Sequence, residues 1–526
     1  MSHPTMEDAI DGLRQRREES VHPGKPGSVE KQHAKGKLTA RERLELFLDE
    51  GSFVEIGRLR RAPRETGDGS DKRPFGDGVV TGVGKVDGRQ ICVYAQDATV
   101  LGGSVGQTHA KKLVDLYKLA WKIGCPVVGL NDSGGARIQD GVAALASYSM
   151  LGNVKCEMSG VVPMIGLIMG TCAGGAVYSP ATGDFTFMVN GTSHMFLTGP
   201  EVVREVTGQE TTMEELGGAE INAITGNAHH VDDTDEESLE SAKRLLSYLA
   251  SNNVAKPPRF AAPNFSWETT DEDLELDGVV PVEPNKAYDV IDVIERIADD
   301  GDFFEIHSRW AANVVIGFVR INGHSVGVIA NQPSVNAGTM NIDATEKAAR
   351  FIRTCDAFNV PILTLVDVPG YLPGIEQERA GAIRRGSKLF YAYAEARVPS
   401  ITVTLRKSYG GAYATMGSKQ SLNDVNLAWP QAEIAVMGAP AAVKILHGRE
   451  LLKMIQEGAT DVEDKYNELV AEYTRDHLNP YPVAERGWVD RVIKPHETRI
   501  ELARALDLLE TRRHDPPSRP HGNIPL

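Results

Sequence analysis

VPMIGLIMGTCAGGAVYSP (162–180) and VPSITVTLRKSYGGAYATM (398–416) are two copies of one pattern. Each opens on Val-Pro, runs through an apolar stretch that suits a buried strand, and meets Gly-Gly-Ala at the start of a helical segment. Pro163 and Pro399, like Gly175 and Gly411, stand 236 positions apart. Outward from this pair, CPVVGLNDSGGARIQDG (125–141) matches VPILTLVDVPGYLPGIE (360–376), and GVVTGVGKVDGRQICVYAQD (78–97) matches NVVIGFVRINGHSVGVIANQ (313–332). The latter pair reads as two hairpins turning on Asp87-Gly88 and Asn322-Gly323, both signatures of primed two-residue turns. Upstream, ARERLELFLDEGSFVEI (40–56) and DVIDVIERIADDGDFFEI (289–306) each run from an amphipathic helix into Phe-x-Glu-Ile. Gly82 and Gly317, Gly88 and Gly323, and Pro126 and Pro361 are each 235 apart, so a single inserted residue separates the two registers. An internally duplicated domain accounts for this; two unrelated domains do not.

Within each half, short Val/Ile-rich strands alternate with helical segments such as HAKKLVDLYKLAWKIG (109–124) and TEKAARFIRTCDAFN (345–359), which predicts α/β units with buried sheets. Val127–Leu130 and Ile362–Val366 are apolar on both faces and are expected to be internal strands. The expected boundaries are an N-terminal domain over 1–260, a proline-rich and acidic linker over 261–285, and a C-terminal domain over 286–526.

Composition narrows the function. The 56 Lys and Arg against 72 Asp and Glu give a net charge of −16, a field that disfavours nucleic acid. No apolar run approaches the ~20 residues of a membrane span. The first twenty residues lack an apolar leader core, and a cytoplasmic location is expected. Cys92, Cys125, Cys156, Cys172 and Cys355 are scattered and odd in number, which reads as reduced buried thiols. His229-His230 has no second ligand cluster, and no metal is expected. Neither phosphate-binding glycine motif, G-x-x-x-x-G-K-[ST] or G-x-G-x-x-G, occurs at the strand ends. Gly102-Gly103-Ser104-Val105-Gly106 matches G-x-S-x-G, but the preceding strand is expected to end near Gln96, too early for a nucleophile elbow.

What remains are the two strand-to-helix junctions, Cys172-Ala173-Gly174-Gly175-Ala176 and Ser408-Tyr409-Gly410-Gly411-Ala412. Glycines there bare backbone amides that converge on one point, with the positive end of a helix behind them. That arrangement stabilises negative charge growing on a carbonyl oxygen. The loops 133–141 and 369–386 follow corresponding strands and carry glycine and arginine suited to an anionic ligand.

At these residues the chain resembles the carboxyltransferase (β) subunit of biotin-dependent acyl-CoA carboxylases, especially the actinobacterial propionyl-CoA carboxylase group. The resemblance rests on EKQHAKGKLTARERL, NDSGGARIQ, CAGGAVYSP, SHMFLTGP, EELGG, TEKAARF, LVDVPG, RKSYGGAY, MGSK, NLAWP, IAVMGA, NPY and HGNIPL, in order along nearly the whole chain. It implies two tandem crotonase-like domains and a homohexamer whose sites lie between the N-domain of one protomer and the C-domain of another. It also implies transfer of a carboxyl group from carboxybiotin, borne on a separate carrier, to the α-carbon of an acyl-CoA. By that correspondence Gly174 and Gly175 hold the thioester oxygen, while Gly411 and Ala412 hold the biotin ureido oxygen. Ser133, Gly134, Gly135, Ala136, Arg137 and Ala173 then lie beside the CoA ester, and Tyr409 and Gly410 beside biotin. The chain has neither a biotinyl-lysine motif nor an ATP-grasp region, so a biotin carboxylase and carrier (α) subunit is the implied partner, with a small epsilon subunit as a further candidate.

The chain departs from that pattern where propionyl-preferring relatives carry Asp after GGAY; here the residue is Ala414. Tyr371, Arg379 and Ala382 likewise stand where relatives often have Phe, His and Ile. The expectation is acceptance of acyl chains longer than propionyl. The same scaffold run in reverse as a decarboxylase or transcarboxylase, and a non-catalytic crotonase-like binding scaffold, are the alternatives.

Overall fold

A computed structural model of the chain describes residues 5–63, 73–514 and 521–525. Residues 1–4 of the N-terminal stretch and Leu526 of the closing HGNIPL lie outside them. The chain divides into two compact units, Met1–Lys256 and Pro257–Leu526.

The first unit is built on strands β1 (Val54–Glu55), β2 (Val79–Val86), β3 (Arg89–Gln96), β4 (Val127–Ser133), β5 (Met164–Ala173), β6 (Phe185–Val189), β7 (His194–Phe196) and β8 (His230–Asp232). They lie in the order β1-β2-β3-β4-β5-β6-β8, with β7 also on β5. The second unit has β9 (Phe303–Ile306), β10 (Val314–Ile321), β11 (His324–Asn331), β12 (Ile362–Val368), β13 (Ser400–Tyr409), β14 (Val425–Ala428), β15 (Glu433–Ala435) and β16 (Arg491–Val492). Its order, β9-β10-β11-β12-β13-β14-β16 with β15 on β13, is the same strand for strand.

The first three strands of each sheet are antiparallel and the rest parallel. The hairpins turn as their residues require: Asp87 and Gly88 have φ of 49° and 76°, and Asn322 and Gly323 have 48° and 74°. Both sheets slip register at one place, between Asn131 and Ser133 on β4 and between Val366 and Val368 on β12. Every residue of β4 and β12 is buried, so both strands are internal.

Helices cover both faces. In the first unit Gln107–Ile123 and Val142–Met158 bury Leu113, Leu116, Leu151 and Val154 against the sheet. In the second, Ile291–Ile297 and Thr498–Leu509 enclose the opposite face with Ile294, Ile297, Leu502 and Leu506. This last helix is more deeply buried than an ordinary surface amphipathic element. Residues 271–279, inside the stretch expected to be linker, form a helix capped by Thr270, and its Leu276 is buried in the core of the second unit.

The duplication extends to buried charge. Lys112 and Lys347, 235 apart, each turn a buried ammonium onto carbonyls at the entry to the hairpin: Gly76 and Val79 in one unit, His307 and Trp310 in the other. Burial lowers their pKa to about 8 and about 7. Asp132 and Asp367 are likewise buried equivalents, but they are neutralised from different directions. Lys37 and Arg43 from the N-terminal arm reach Asp132 at 2.9 and 3.3 Å, whereas Arg406 on β13 reaches Asp367 at 3.0 Å. Position 170, opposite Arg406 in the repeat, is glycine, since a Cβ there would lie 2.0 Å from the Asp132 carboxylate. Four cysteines are buried, but Cys156 is exposed, correcting the expectation that all five are buried.

Candidate active site

The strand ends of β5 and β13 carry the two glycine turns. After Ala173 the chain enters Gly174 at φ 62°, forms a 3-10 turn over Gly174–Val177, and continues into the short helix Tyr178–Ala181. After Tyr409 it enters Gly410 at φ 60° and forms the helix Gly410–Thr415. A left-handed φ is available to glycine at little cost, which accounts for the first glycine of each pair. A 3-10 turn bonds three residues back and an α-turn four. The amides of Gly174 and Gly175, and of Gly410, Gly411 and Ala412, therefore have no acceptor inside their turns. Among the described residues nothing outside the turns accepts from Gly175, Gly411 or Ala412 either.

An aromatic ring lies behind each second glycine. A Cβ on Gly175 would come within 3.0–3.2 Å of the Tyr148 ring, and one on Gly411 within 3.9–4.0 Å of the Tyr371 ring. Beside the first turn is a cavity of about 440 Å³ lined by Leu145, Tyr148, Lys155, Gly175, Tyr178 and Thr182. Lys155 is 3% exposed and donates to the Ser179 carbonyl and hydroxyl, fixing the far end of the turn; burial brings its pKa down to about 8. Beside the second turn is a cavity of about 510 Å³ lined in part by Met340, Tyr371, Ala382, Gly386, Phe390 and Thr415.

The loop after β4 meets the first turn directly. A Cβ on Gly135 would stand 2.7 Å from the Ala173 carbonyl oxygen, so Ser133, Gly134 and Gly135 adjoin the turn at its root. Ser133 accepts from the Gly135 amide, Gly134 donates to Gly102, and Ala136 bridges to Val105. Arg137 is turned inward: its guanidinium donates to Asp77 at 2.6 Å and to the Ser104 carbonyl at 2.8 Å. Burial pushes the Asp77 carboxyl up while Arg137 pulls against it, and burial with Arg137 and Lys112 holds neighbouring His109 near pKa 3, neutral. Arg137 therefore shapes the loop, and the surface it leaves to a ligand is backbone and small side chains.

Ser104 follows a 3-10 turn in which Gly102 has φ 63°, eight residues beyond the end of β3, and its hydroxyl donates to Leu101. It has no nucleophile geometry. Tyr409 hydrogen-bonds Glu433 and packs at the root of the second turn. Ala412 is fully buried, and its amide belongs to the first turn of the helix Gly410–Thr415. Ala414 is half-buried and does not line the 510 Å³ cavity; of the departures, Tyr371 and Ala382 do, and Arg379 does not. Tyr148, Lys155 and Thr415 were not singled out in the sequence. The signal of Tyr148 and Lys155 is visible only after the helices Val142–Met158 and Ala382–Glu395 are aligned by their buried faces, and Thr415, at the end of the helix Gly410–Thr415, has no sequence signal.

Among the described residues no group of metal-ligating side chains occurs, and no helix is long and apolar enough to cross a membrane.

A carboxyl transferase domain model matches residues 31–524. The propionyl-CoA carboxylase beta chain of Saccharopolyspora erythraea is 54% identical over 521 residues, covering 98% of this chain and 95% of that one. The methylmalonyl-CoA decarboxylase subunit alpha of Propionigenium modestum is 48% identical over 519 residues, covering 98% and 99%. Among solved structures, the hexameric transcarboxylase 12S with methylmalonyl-coenzyme A bound superimposes with a TM-score of 0.95 at 44% identity, covering 100% of this chain and 99% of that one.

Proposed function

The chain belongs to the carboxyl transferase family and is a carboxyltransferase of the biotin-dependent acyl-CoA carboxylase kind; from that premise we propose how its two units divide the work. The N-terminal half, 1–260, takes the acyl-CoA and the C-terminal half, 286–526, takes biotin, with 261–285 between them. The observation that carries this is the pair of glycine turns at equivalent strand ends, each with unengaged amides beside its own cavity.

At the first turn the amides of Gly174 and Gly175 donate to the thioester oxygen as negative charge builds there on loss of the α-proton. Ser133, Gly134, Gly135, Ala136 and Ala173 shape the same wall. At the second, Gly411 and Ala412 donate to the ureido oxygen of biotin, with Tyr409 and Gly410 setting the angle of approach. Two amide donors beside a cavity with aromatic and aliphatic walls suit a neutral urea ring. Carboxybiotin supplies the carboxyl group and the base. The chain's own part is to fix two oxygens against preorganised donors, each worth about 10² to 10³ in rate.

A biotin-dependent carboxyltransferase works with a biotin-carrying partner. We propose an α subunit bearing both biotin carboxylase and carrier, a homohexamer like that of transcarboxylase 12S, a cytoplasmic location, and the small epsilon subunit as a further candidate partner. The substrate reading is propionyl-CoA or longer, resting on Ala414, which stands where propionyl-preferring relatives carry Asp after GGAY. Measuring kcat/KM for acetyl-, propionyl-, butyryl- and hexanoyl-CoA tests it: activity is expected to hold or rise beyond propionyl, and a sharp peak at propionyl contradicts it. A decarboxylase running the same steps backwards is the second reading, favoured by the 48% identity to the Propionigenium modestum subunit. Dependence of turnover on an ATP-driven biotin carboxylase partner separates the two.

A further inference from the structure

The repeat equates the Tyr371 position in the loop after β12 with Ala136 in the loop after β4; both make the same parallel bridge, to Met340 and to Val105. The buried faces of the following helices equate Leu151, Val154 and Lys155 with Leu389, Ala392 and Tyr393, and hence Tyr148 with Gly386. Each unit therefore places one tyrosine ring behind its glycine turn, but from opposite sides. The first has alanine on the loop and tyrosine on the helix; the second has tyrosine on the loop and glycine on the helix. A Cβ on Gly386 would stand 3.3 Å from the Tyr371 ring, so the helix position is small where the loop supplies the ring.

The exchange changes what the hydroxyl does. The buried Tyr148 hydroxyl makes no close hydrogen bond and has only Ser133 nearby to engage it. The Tyr371 hydroxyl donates to Thr415 Oγ1 at 3.0 Å, and that oxygen faces the carbonyls of Gly411 at 3.4 Å and Ala412 at 3.3 Å. The Gly411 carbonyl and the Ala412 N–H belong to one peptide group. A hydrogen bond to that carbonyl polarises the group and strengthens its N–H as a donor, and successive bonds reinforce one another. The Tyr371 backbone is itself clamped, with Leu372 donating to Met340 and Met340 to Gly370.

We propose that Tyr371, acting through Thr415, is a positioning residue that holds and polarises the Ala412 amide of the second glycine turn. This rests on the reading that the turn receives the ureido oxygen of biotin. The test is biotin-dependent decarboxylation of methylmalonyl-CoA by the full chain, with free biotin as the probe. Tyr371→Phe and Thr415→Val are each expected to lower kcat about 10-fold, less than loss of a donor outright. KM for the CoA ester and Tm should hold, the double variant should be no worse than either single one, and Thr415→Ser should restore turnover. Full activity in Tyr371→Phe, or single losses that multiply in the double variant, overturns the proposal. Gly411→Val separates the premise. If it retains biotin-dependent turnover, the turn does not hold biotin and the role of Tyr371 falls with it; if it abolishes turnover while Tyr371→Phe is unaffected, the positioning role alone is overturned.

Discussion

At the residue scale the glycines of the two turns are not interchangeable. Gly174 and Gly410, at φ 62° and 60°, sit where an L-side chain is strained, so replacement by alanine is expected to cost about 1 to 2 kcal/mol in either unit. Gly175→Ala would press a methyl to 3.0 Å from the Tyr148 ring, while Gly411→Ala meets only ordinary contact at 3.9 Å. Thermal melts should therefore rank Gly411→Ala as nearly neutral and the other three as destabilising. Equal losses at Gly175 and Gly411 would contradict the packing described. The Gly-Gly-Ala pairs were legible because a glycine pair at a strand end is a local pattern. The tyrosines behind them were not, because Tyr148 and Tyr371 serve equivalent places from non-equivalent positions, and alignment in a single register cannot pair them.

At the scale of elements, the helices Ile342–Ala357 and Ala382–Glu395 are tied by Glu346, which meets Arg385 at 2.6 Å and Lys388 besides. These cations hold its carboxyl at a pKa of about 2, well below the usual glutamate range. A depressed folded-state pKa contributes stability that is complete above about pH 4.5 and disappears as pH falls toward about 2. The difference in Tm between the native chain and Glu346→Gln is expected to be largest near neutrality and to close as pH falls from about 4.5 toward about 2, and a difference independent of pH would refute the pairing. The strands, both primed hairpins and the paired long helices were readable from periodicity and turn chemistry. The helix Asp271–Val279 was not, because its acidic first turn and neighbouring prolines imitate a linker, while its anchors, the buried Leu276 and Asp273 paired with Arg499, show only in the fold. The inward turn of Arg137 was equally hidden: only the folded loop brings Asp77 within reach.

For the whole molecule, duplication explains the length. Two sheets with identical strand order put two glycine turns at matching strand ends, and the walls behind them differ; under the proposed division of work each turn takes a different carbonyl. The net charge of −16 offers no general attraction for the phosphates of CoA. Removing Arg43 should loosen the first unit: Arg43→Met leaves Asp132 to Lys37 but takes the guanidinium from Asp235, which keeps the Leu38 amide, and is expected to cost about 3 kcal/mol. Denaturant titration monitors that loss, and an unchanged midpoint would contradict the role given to the arm. Under the proposed division of work, two equivalent turns perform two different tasks in one carboxyl transfer. The most direct test follows labelled carboxyl from methylmalonyl-CoA in the presence and absence of free biotin. Biotin-dependent release, abolished by Gly175→Val and by Gly411→Val alike, is the predicted result. Release at the same rate without biotin, or surviving either substitution, would contradict it.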